Sequence, residues 1–403
     1  MTRFFYSLPP AGNKIPLSLL FKVMIGGSRN GGLEKSTALK KIIGNAFSLY
    51  LSSGRAALWL ILKTLFELNP KKRKVIIPAY TCPAVASAVL KAGLQPVLCD
   101  VNLDDFGYSA DDLERTFDEG VLAVIVVHLF GLPANIDQIT PICRQHDVYL
   151  IEDAAQAFGN ELPLTGTKLG TIGDAGFFSF GRGKPLSAIH GGLVVTISEK
   201  IYKKALEIYE NLYSPSSSEN IKYFPYAGFY DLLSSPYLYW MPQKIPSMHL
   251  GETIFEPDFP LTKGLKTSGH IIEGLLDSLE RGKKGRMVRS QWYNNELPDT
   301  PIFKKPSRPE YPFHRYPLLI KDRVVRDKIM KELKSVGISG ALFYPCPLNE
   351  LPGLCDILQD SQVYTKAKQL SHSLITLPVH EGVTSRDMHN IKSVTESVLS
   401  SMV

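Results

Sequence analysis

The chain has 403 residues, of which 44% are hydrophobic and 21% charged, and this composition predicts a globular protein with two domains. No apolar run is long enough to span a membrane, and Pro9 and Pro10 come too early for a signal peptide, so we expect a cytoplasmic protein with no transmembrane segment. The net charge of +6 is modest and the five cysteines lack zinc-ligand spacing, so neither nucleic acid nor a metal ion is an expected partner.

Residues 1–47 are predicted to form an N-terminal arm, in which the pairs Gly26-Gly27 and Gly31-Gly32 interrupt any regular element. From residue 48 to about residue 205, apolar runs typical of strands alternate with helical patterns. The clearest strands are 75–78, 94–101, 121–128 and 148–152, and helices are predicted at 83–92 and 137–145. This alternation predicts an α/β fold with a mostly parallel central sheet covered by helices on both faces, within a large domain of residues 48–262.

The first candidate site feature is Ser53-Gly54, which precedes a helical run rich in alanine and leucine. Serine is a favourable N-cap residue, and the free amide groups at a helix N-terminus form a ready binding site for phosphate. A cap without any ligand explains the same two residues. The pattern therefore indicates a helix start here and leaves the phosphate site as a hypothesis.

Two carboxylates stand at the end of the strand at 148–152. Asp153 is expected at the C-terminal edge of the sheet, where open α/β sheets bind ligands, and a carboxylate there can pair with the pyridinium nitrogen of pyridoxal phosphate. Glu152 is expected to cap the following helix, a role that Asp153 could share. One turn further along that helix, Gln156 is placed to contact the ring hydroxyl of the same cofactor.

The segment 177–184 is the most informative part of the sequence. A short apolar strand ends at Ser179, and a glycine-rich loop then presents Lys184. Schiff-base chemistry requires a lysine that is partly desolvated and still free to move. The hydroxyl of Ser179 can bind the phosphate expected near Gly54. An ordinary surface lysine is the alternative, but the carboxylate at Asp153 favours pyridoxal phosphate as cofactor and Lys184 as the catalytic lysine.

Residues 207–262 form an insertion rich in aromatic residues and prolines. Clustered Tyr and Trp can mark a membrane interface or a surface that binds a partner. The hypothesis we favour is that this insertion packs over the mouth of the active site or along a dimer interface. We expect Tyr223 or Tyr226 to approach the cofactor of a partner subunit. A long helical pattern follows at 264–296, and residues 263–403 are predicted to form a smaller C-terminal α/β domain.

Several motifs in fixed order resemble the DegT/StrS family of nucleotide-sugar aminotransferases, which are fold type I pyridoxal-phosphate enzymes. The resemblance runs from about residue 52 to residue 196 and resumes at Tyr344-Pro345 and at 377–380. Its main motifs are Val75-Ile76-Ile77-Pro78-Ala79-Tyr80-Thr81, Val127-His128-Leu129-Phe130-Gly131, Glu152-Asp153-Ala154-Ala155-Gln156, Gly170-Thr171-Ile172-Gly173-Asp174 and the loop that carries Lys184.

The resemblance implies a role for four of these side chains. Lys184 matches the lysine that carries the cofactor and shuttles the proton, and Asp153 matches the partner of the pyridinium nitrogen. Gln156 matches the contact to the ring hydroxyl, and Ser179 matches a phosphate ligand. The resemblance also implies a homodimer with both active sites at the subunit interface.

The same resemblance implies further cofactor contacts, and the sequence departs from the family pattern in three ways. Gly54, Arg55 and Ala56 match the turn whose amides hold the phosphate, although the family usually has threonine or serine where Arg55 stands. Cys82 occupies the position of an aromatic ring that stacks on the cofactor. The Asn-Tyr-Arg-Met-like motif that many members contribute from the partner subunit is missing from this sequence.

The function implied is the transfer of an amino group from an amino acid, with glutamate expected, to a nucleotide-linked keto-sugar. Such sugars serve cell-surface polysaccharide or secondary-metabolite biosynthesis. Some relatives dehydrate sugars instead, but these replace the lysine by histidine, so Lys184 argues against that activity. A non-catalytic regulator on the same fold is the second alternative, and the complete set of Lys184, Asp153, Gln156 and Ser179 disfavours it.

Overall fold

The computed structural model describes residues 6–12, 14–26, 32–243 and 253–401, and these residues contain two β-sheets. The strands of the larger sheet are β1 Phe47–Leu51, β2 Lys74–Pro78, β3 Gln95–Cys99, β4 Val121–Val127, β5 Tyr149–Asp153, β6 Ala175–Ser179 and β7 Gly192–Thr196. Their spatial order is β1-β7-β6-β5-β4-β2-β3. Strand β7 runs antiparallel to both of its neighbours, and the other neighbouring strands pair in parallel.

Helices connect these strands and cover the sheet. In the described ranges they are α1 Leu17–Gly26, α2 Thr37–Ile43, α3 Gly54–Leu68, α4 Pro83–Lys91, α5 Ala110–Glu114, α6 Ile136–Gln145, α7 Glu199–Glu210, α8 Ser217–Leu233, α9 Trp240–Gln243, α10 Lys266–Leu276, α11 Leu279–Glu296, α12 Arg323–Ser335, α13 Cys355–Leu358, α14 Thr365–Ser373 and α15 Ser385–Ser400. None of them is both long and apolar enough to cross a membrane.

Strand β4, near the middle of the sheet, is apolar along its whole length because both faces of the sheet are covered. Every residue of β4, with the sequence VLAVIVV, is buried. Parallel strands covered on both faces require such continuous apolar runs. The predicted α/β fold with a mostly parallel sheet is therefore confirmed.

The second sheet is smaller and antiparallel. Its strands are β8 Phe303–Lys304, β9 Tyr316–Ile320 and β10 Leu374–Leu377, in the order β10-β9-β8. Helices α12 and α14 pack on β9, and α15 packs on α12. The division of the chain at residues 262 and 263 into a large and a small domain stays a prediction.

The N-terminal arm is more regular than the glycine pairs predict. Helices α1 and α2 form within it, and α1 ends at Gly26. Gly27 and Gly31 lie outside the described residues. Helix α1 packs against α8 and α10, so the arm is joined to the body of the protein. At the start of the chain, the amide of Leu8 donates a 2.8 Å hydrogen bond to the carbonyl of Gly337.

The single long helix predicted at 264–296 is wrong, because the structure has two helices, α10 and α11, at this place. The break falls at Asp277 and Ser278. The hydroxyl of Ser278 donates a 2.7 Å hydrogen bond to the carbonyl of Leu275, one of the last carbonyls of α10. A serine that bonds to a nearby carbonyl competes with helix continuation, and an apolar periodicity does not reveal it.

The aromatic insertion contains α8, which begins with a capping box at Ser216 and Glu219. Residues 244–252 of the insertion lie outside the described residues. Tyr223 is only 3% exposed, and its hydroxyl donates a 2.9 Å hydrogen bond to the carbonyl of Ala188 in the same chain. The prediction that Tyr223 approaches a partner's cofactor is therefore wrong, whereas Tyr226 is exposed and remains available for that role.

Candidate active site

The predicted site residues meet at the C-terminal edge of the large sheet. Asp153 is the last residue of β5 and Ser179 the last residue of β6, and these two strands are parallel neighbours. Helix α3 begins at Gly54 directly after β1, and Cys82 is the N-cap of α4, which follows β2. Strand order alone therefore brings together residues that lie far apart in the sequence, as open α/β sheets do at their ligand sites.

The start of α3 forms a tight cradle beside Ser179. A methyl group added to Gly54 would stand 2.8 Å from Cβ of Ser179, closer than any normal carbon contact. A methyl group at Gly192 would stand 2.1 Å from the carbonyl oxygen of Ser53. Only glycine fits at these two positions, so the helix N-terminus and the Ser179 hydroxyl face one small space. Amide groups and a hydroxyl in such a space suit a phosphate group.

The backbone amides of Gly54, Arg55 and Ala56, predicted to bind the phosphate, differ in whether the helix cap already uses them as donors. The amide of Ala56 donates a 3.2 Å hydrogen bond to Oγ of Ser53, which confirms the predicted cap and occupies that donor. The amides of Gly54 and Arg55 have no such cap bond. The Arg55 side chain forms a 2.6 Å ion pair with Glu256, so it contributes to this site through its backbone.

Replacing Gly54 by alanine should weaken the binding of pyridoxal phosphate by about tenfold or more, because the new methyl group displaces Ser179 from the phosphate cradle. Fluorescence titration of the cofactor-free protein measures this change. Gly228→Ala is the matched control, since a methyl group on that residue of α8 meets no atom within 4 Å. Equal cofactor affinity in Gly54→Ala and the wild type would contradict the cradle.

Cys82, Asp153, Lys184 and Tyr344 form one cluster next to the cradle. Asp153 is 7% exposed, and burial raises the pKa of its carboxyl group, while the nearby Lys184 ammonium acts in the opposite direction. Burial likewise raises the pKa of the Cys82 thiol, and Lys184 again opposes the shift. Tyr344 lies close enough to Cys82 and Asp153 for both to raise the pKa of its hydroxyl, after burial as the main cause. The predicted pair of lysine and carboxylate is thus brought together.

Glu152 does not cap a helix, because no helix follows β5. Its buried carboxylate accepts hydrogen bonds from the amides of Gly170, Ile172 and Gly173 at 2.7, 2.5 and 2.7 Å. It also lies 2.9 Å from Nε2 of His128, whose Nδ1 accepts a hydrogen bond from Ala134. Glu152 therefore holds the loop at 170–173, and His128, whose amide donates a 3.0 Å hydrogen bond to the carbonyl of Asp153, joins this loop to the end of β5.

Gln156 also lies on a turn where the sequence predicted a helix. Its side chain is buried, and Oε1 accepts a 3.1 Å hydrogen bond from the amide of Phe130. This bond fixes the orientation of the amide group and leaves its NH2 end as the donor for a ligand. The contact to the ring hydroxyl stays a prediction.

Sequence reasoning missed three side chains from the second half of the chain. His314 and Arg286 line a pocket together with Lys184 and His380, and Arg315 follows His314 just before β9. Burial lowers the pKa of His314 well below its ordinary value, and the cations Arg315 and Lys184 lower it further, so this imidazole is neutral. A histidine-arginine pair directly before an apolar strand was the only local signal.

The residues present fit pyridoxal phosphate: a carboxylate for the ring nitrogen, a lysine near that carboxylate and a cradle for the phosphate. In the described ranges, no group of three or more His, Cys, Asp or Glu side chains is arranged to hold a metal ion. Cys82 is the N-cap of α4, so a thiol stands where the family usually has an aromatic ring. The ring of Tyr344 lies next to this thiol.

Comparisons with known proteins identify the family of this chain. The model of the DegT/DnrJ/EryC1/StrS aminotransferase family matches residues 22–221 and 268–397. A relative from Acidithiobacillus ferrooxidans, named UDP-N-acetyl-3-dehydro-alpha-D-glucosamine 3-aminotransferase, is 26% identical over 93% of this chain and 89% of its own.

Two solved structures share the fold. PseC of Helicobacter pylori, an aminotransferase involved in the biosynthesis of pseudoaminic acid, is 17% identical over 100% of both chains with a TM-score of 0.77. An E. coli GDP-4-keto-6-deoxy-D-mannose-3-dehydratase with bound hydrated PLP is 20% identical over 97% of this chain and 99% of its own, with a TM-score of 0.74. By the family match over most of its length, the chain belongs to the DegT/DnrJ/EryC1/StrS aminotransferase family and is a pyridoxal-phosphate-dependent aminotransferase.

Proposed function

We propose that this enzyme transfers the amino group of glutamate to the keto group of a sugar carried on a nucleotide. The observation that carries the proposal is the meeting of Lys184, Asp153 and the Ser179–Gly54 cradle at one edge of the sheet. The name of the Acidithiobacillus ferrooxidans relative supports a nucleotide-linked keto-sugar as the acceptor. Glutamate as donor is our expectation from the family resemblance.

Each residue of the site has a separate task in this reaction. Bound pyridoxal phosphate supplies the electron sink that makes the substrate proton acidic. Ser179 and the first amides of α3 hold the phosphate, and the Asp153 carboxylate holds a proton on the ring nitrogen. Lys184 would hold the cofactor through its Nζ atom, and the same atom would accept and return the substrate proton.

Two other functions fit the fold less well. The likeness to the E. coli dehydratase, at 20% identity, reflects the shared fold alone. Dehydration by relatives of this kind is associated with histidine at the position of Lys184, and this chain keeps the lysine. A non-catalytic regulator has no need for a lysine whose neighbours are a buried carboxylate and a phosphate cradle, so the complete site disfavours it.

The purified protein with bound cofactor should be incubated with glutamate and a panel of nucleotide-linked keto-sugars. We expect one class of keto-sugar to yield an amino-sugar by mass spectrometry, together with an equal amount of 2-oxoglutarate. Omitting the sugar should allow a single turnover only, because the cofactor then stays in its amino form. A protein that binds the cofactor and transfers nitrogen to no member of the panel would contradict the proposal.

We infer that the active unit is a homodimer, and the apolar surface of α1 and α8 supports this. The two helices are in contact, and both leave large apolar side chains exposed. These side chains are Leu17, Phe21, Met24 and Ile25 on α1 and Ile221, Phe229 and Leu232 on α8. Exposed apolar patches of this kind usually mark an interface, and a two-fold dimer uses the same patch twice.

Replacing Phe21 and Phe229 together by glutamate should shift the dimer toward monomers, because two charges then enter the apolar surface of each subunit. Sedimentation velocity at micromolar concentration measures the change. Val324→Glu is the matched control, since this exposed valine lies in the first turn of α12 and not on α1 or α8. A wild-type protein that sediments as a fully active monomer would refute the dimer.

We further propose that the enzyme acts in the cytoplasm, in the biosynthesis of sugars for cell-surface polysaccharides or secondary metabolites. All five cysteines are free thiols in the structure, although Cys99 and Cys143 are buried. Proteins of oxidising compartments more often pair their cysteines. The supply of nucleotide-linked sugars and of amino acids as donors supports the same compartment.

A further inference from the structure

Arg315 stands beside the loop that carries Lys184. Its Nη2 atom lies 3.7 Å from the place that a Cβ atom on Gly183 would occupy, and Gly183 directly precedes Lys184. The guanidinium carbon lies 5.5 Å from the centre of the Phe343 ring. Tyr344, which follows Phe343, lies close enough to Arg315 to act on its charge. Cys82 and Asp153 act in turn on the hydroxyl of Tyr344, so this tyrosine lies near both Arg315 and Asp153.

This guanidinium has no counter-charge among the side chains that the structure describes. The Arg315 side chain is half-buried, its Nε atom is buried without a hydrogen-bond partner, and it forms no ion pair with any residue in the described ranges. The groups that act most on its charge are the phenols of Tyr239 and Tyr344. Burial lowers the pKa of Arg315 to about 10, so the group stays charged at neutral pH. A partly desolvated cation without an anion is costly, and a bound anion removes that cost.

Arg286, a buried arginine that lines the pocket with Lys184, differs in this respect. Its Nε atom also lacks a partner, but Glu381 provides a nearby negative charge. Oε1 of Glu381 and Nη1 of Arg286 both lie 3.5 Å from the position of a methyl group on Gly282. Arg286 therefore has acidic neighbours, whereas no acidic side chain in the described ranges acts on the charge of Arg315.

Three anions take part in the proposed reaction: the cofactor phosphate, the nucleotide diphosphate and the α-carboxylate of the amino donor. The position of Arg315 favours the last of them. The cofactor phosphate belongs to the cradle at Gly54 and Ser179, at the start of α3. The diphosphate of a nucleotide-sugar is separated from the reacting keto carbon by the sugar ring. The α-carboxylate of an amino acid is only two bonds from the nitrogen that must reach the cofactor at Lys184, so its binding cation has to lie next to that lysine.

We propose that Arg315 binds the α-carboxylate of the amino donor, as a planar pair of two parallel hydrogen bonds. The inference rests on the proposed function, since it assigns a binding residue to the donor half of that reaction. The guanidinium fork matches a carboxylate in shape and charge, and the face of Phe343 holds it in place.

The test separates the two half-reactions in Arg315→Met and Arg315→Lys. With L-glutamate, kcat/KM for conversion of the cofactor to its amino form should fall by about 100-fold in Arg315→Met, the usual loss for a charge-assisted pair. The inhibition constant of glutarate, which carries carboxylates but no amino group, should rise by at least about tenfold. Reaction of the amino form with a keto-sugar should change by less than about threefold. Arg315→Lys keeps the charge without the fork and should lie in between.

Arg308→Met, an exposed arginine, is the matched control, and thermal unfolding shows that each variant is folded. Unchanged glutamate kinetics in Arg315→Met would overturn the inference. Loss confined to the sugar half-reaction would assign Arg315 to the nucleotide diphosphate and overturn it as well. Equal losses in both half-reactions would show a structural role. A wild-type protein that binds no cofactor at Lys184 would overturn the proposed function itself, an outcome separate from all of these.

Discussion

Replacing Lys184 by alanine should abolish transamination and leave the protein folded. The side chain is half-buried on a loop and adds little to the core, whereas both cofactor attachment and proton transfer depend on its amine. We expect the rate to fall by about four orders of magnitude or more, since proton transfer by one positioned group alone contributes up to that much. Turnover with glutamate and a keto-sugar measures the loss.

Borohydride reduction followed by peptide mapping provides an independent check. In the wild type, the reduced cofactor should be found on the peptide that contains Lys184. Lys200→Ala, which removes an exposed lysine of α7, should keep the label and the activity. A label on any other lysine, or none, would show that Lys184 has been assigned wrongly.

The strands and helices near the site could be predicted because their patterns are local. The predicted strand at 121–128 corresponds to β4 Val121–Val127, and the predicted helix at 83–92 to α4 Pro83–Lys91. Apolar runs in a covered parallel sheet and a proline at a helix start are visible within a few residues. For the same reason, Asp153 and Ser179 could be placed at strand ends before the structure was known.

What the sequence did not reveal depends on contacts over long distances. Glu152 was expected to cap a helix, but its partners come from residues 18 to 21 positions later and from His128, 24 positions earlier. Arg315 lies 131 positions after Lys184, and no local pattern connects the two. The partners of Glu152 and the surroundings of Arg315 are set by the folded chain, so they required the structure.

Replacing Asp153 by asparagine should slow transamination by at least about 100-fold, about 3 kcal/mol in the activation free energy. An amide cannot hold the proton on the ring nitrogen as a carboxylate does, and loss of such a charge-assisted pair has this magnitude. Single-turnover kinetics with glutamate measure the effect. Asp299→Asn removes an exposed carboxylate and should react normally. Near-normal turnover in Asp153→Asn would mean that another group pairs with the ring.

Although Asp153→Asn should slow the reaction, it should stabilise the folded state of the cofactor-free protein near neutral pH. Burial raises the pKa of Asp153, so the folded state binds its proton more tightly than the unfolded state does. Below the pKa of an aspartate in the unfolded chain, the carboxyl group is protonated in both states and costs the folded protein nothing. As the pH rises from there through the raised pKa of Asp153, the charged group increasingly destabilises the folded state. Thermal unfolding should therefore show a gain for Asp153→Asn at neutral pH that disappears in acid. A loss of stability at neutral pH would show that attraction to Lys184 outweighs burial, so that the carboxylate serves the fold as well as the cofactor.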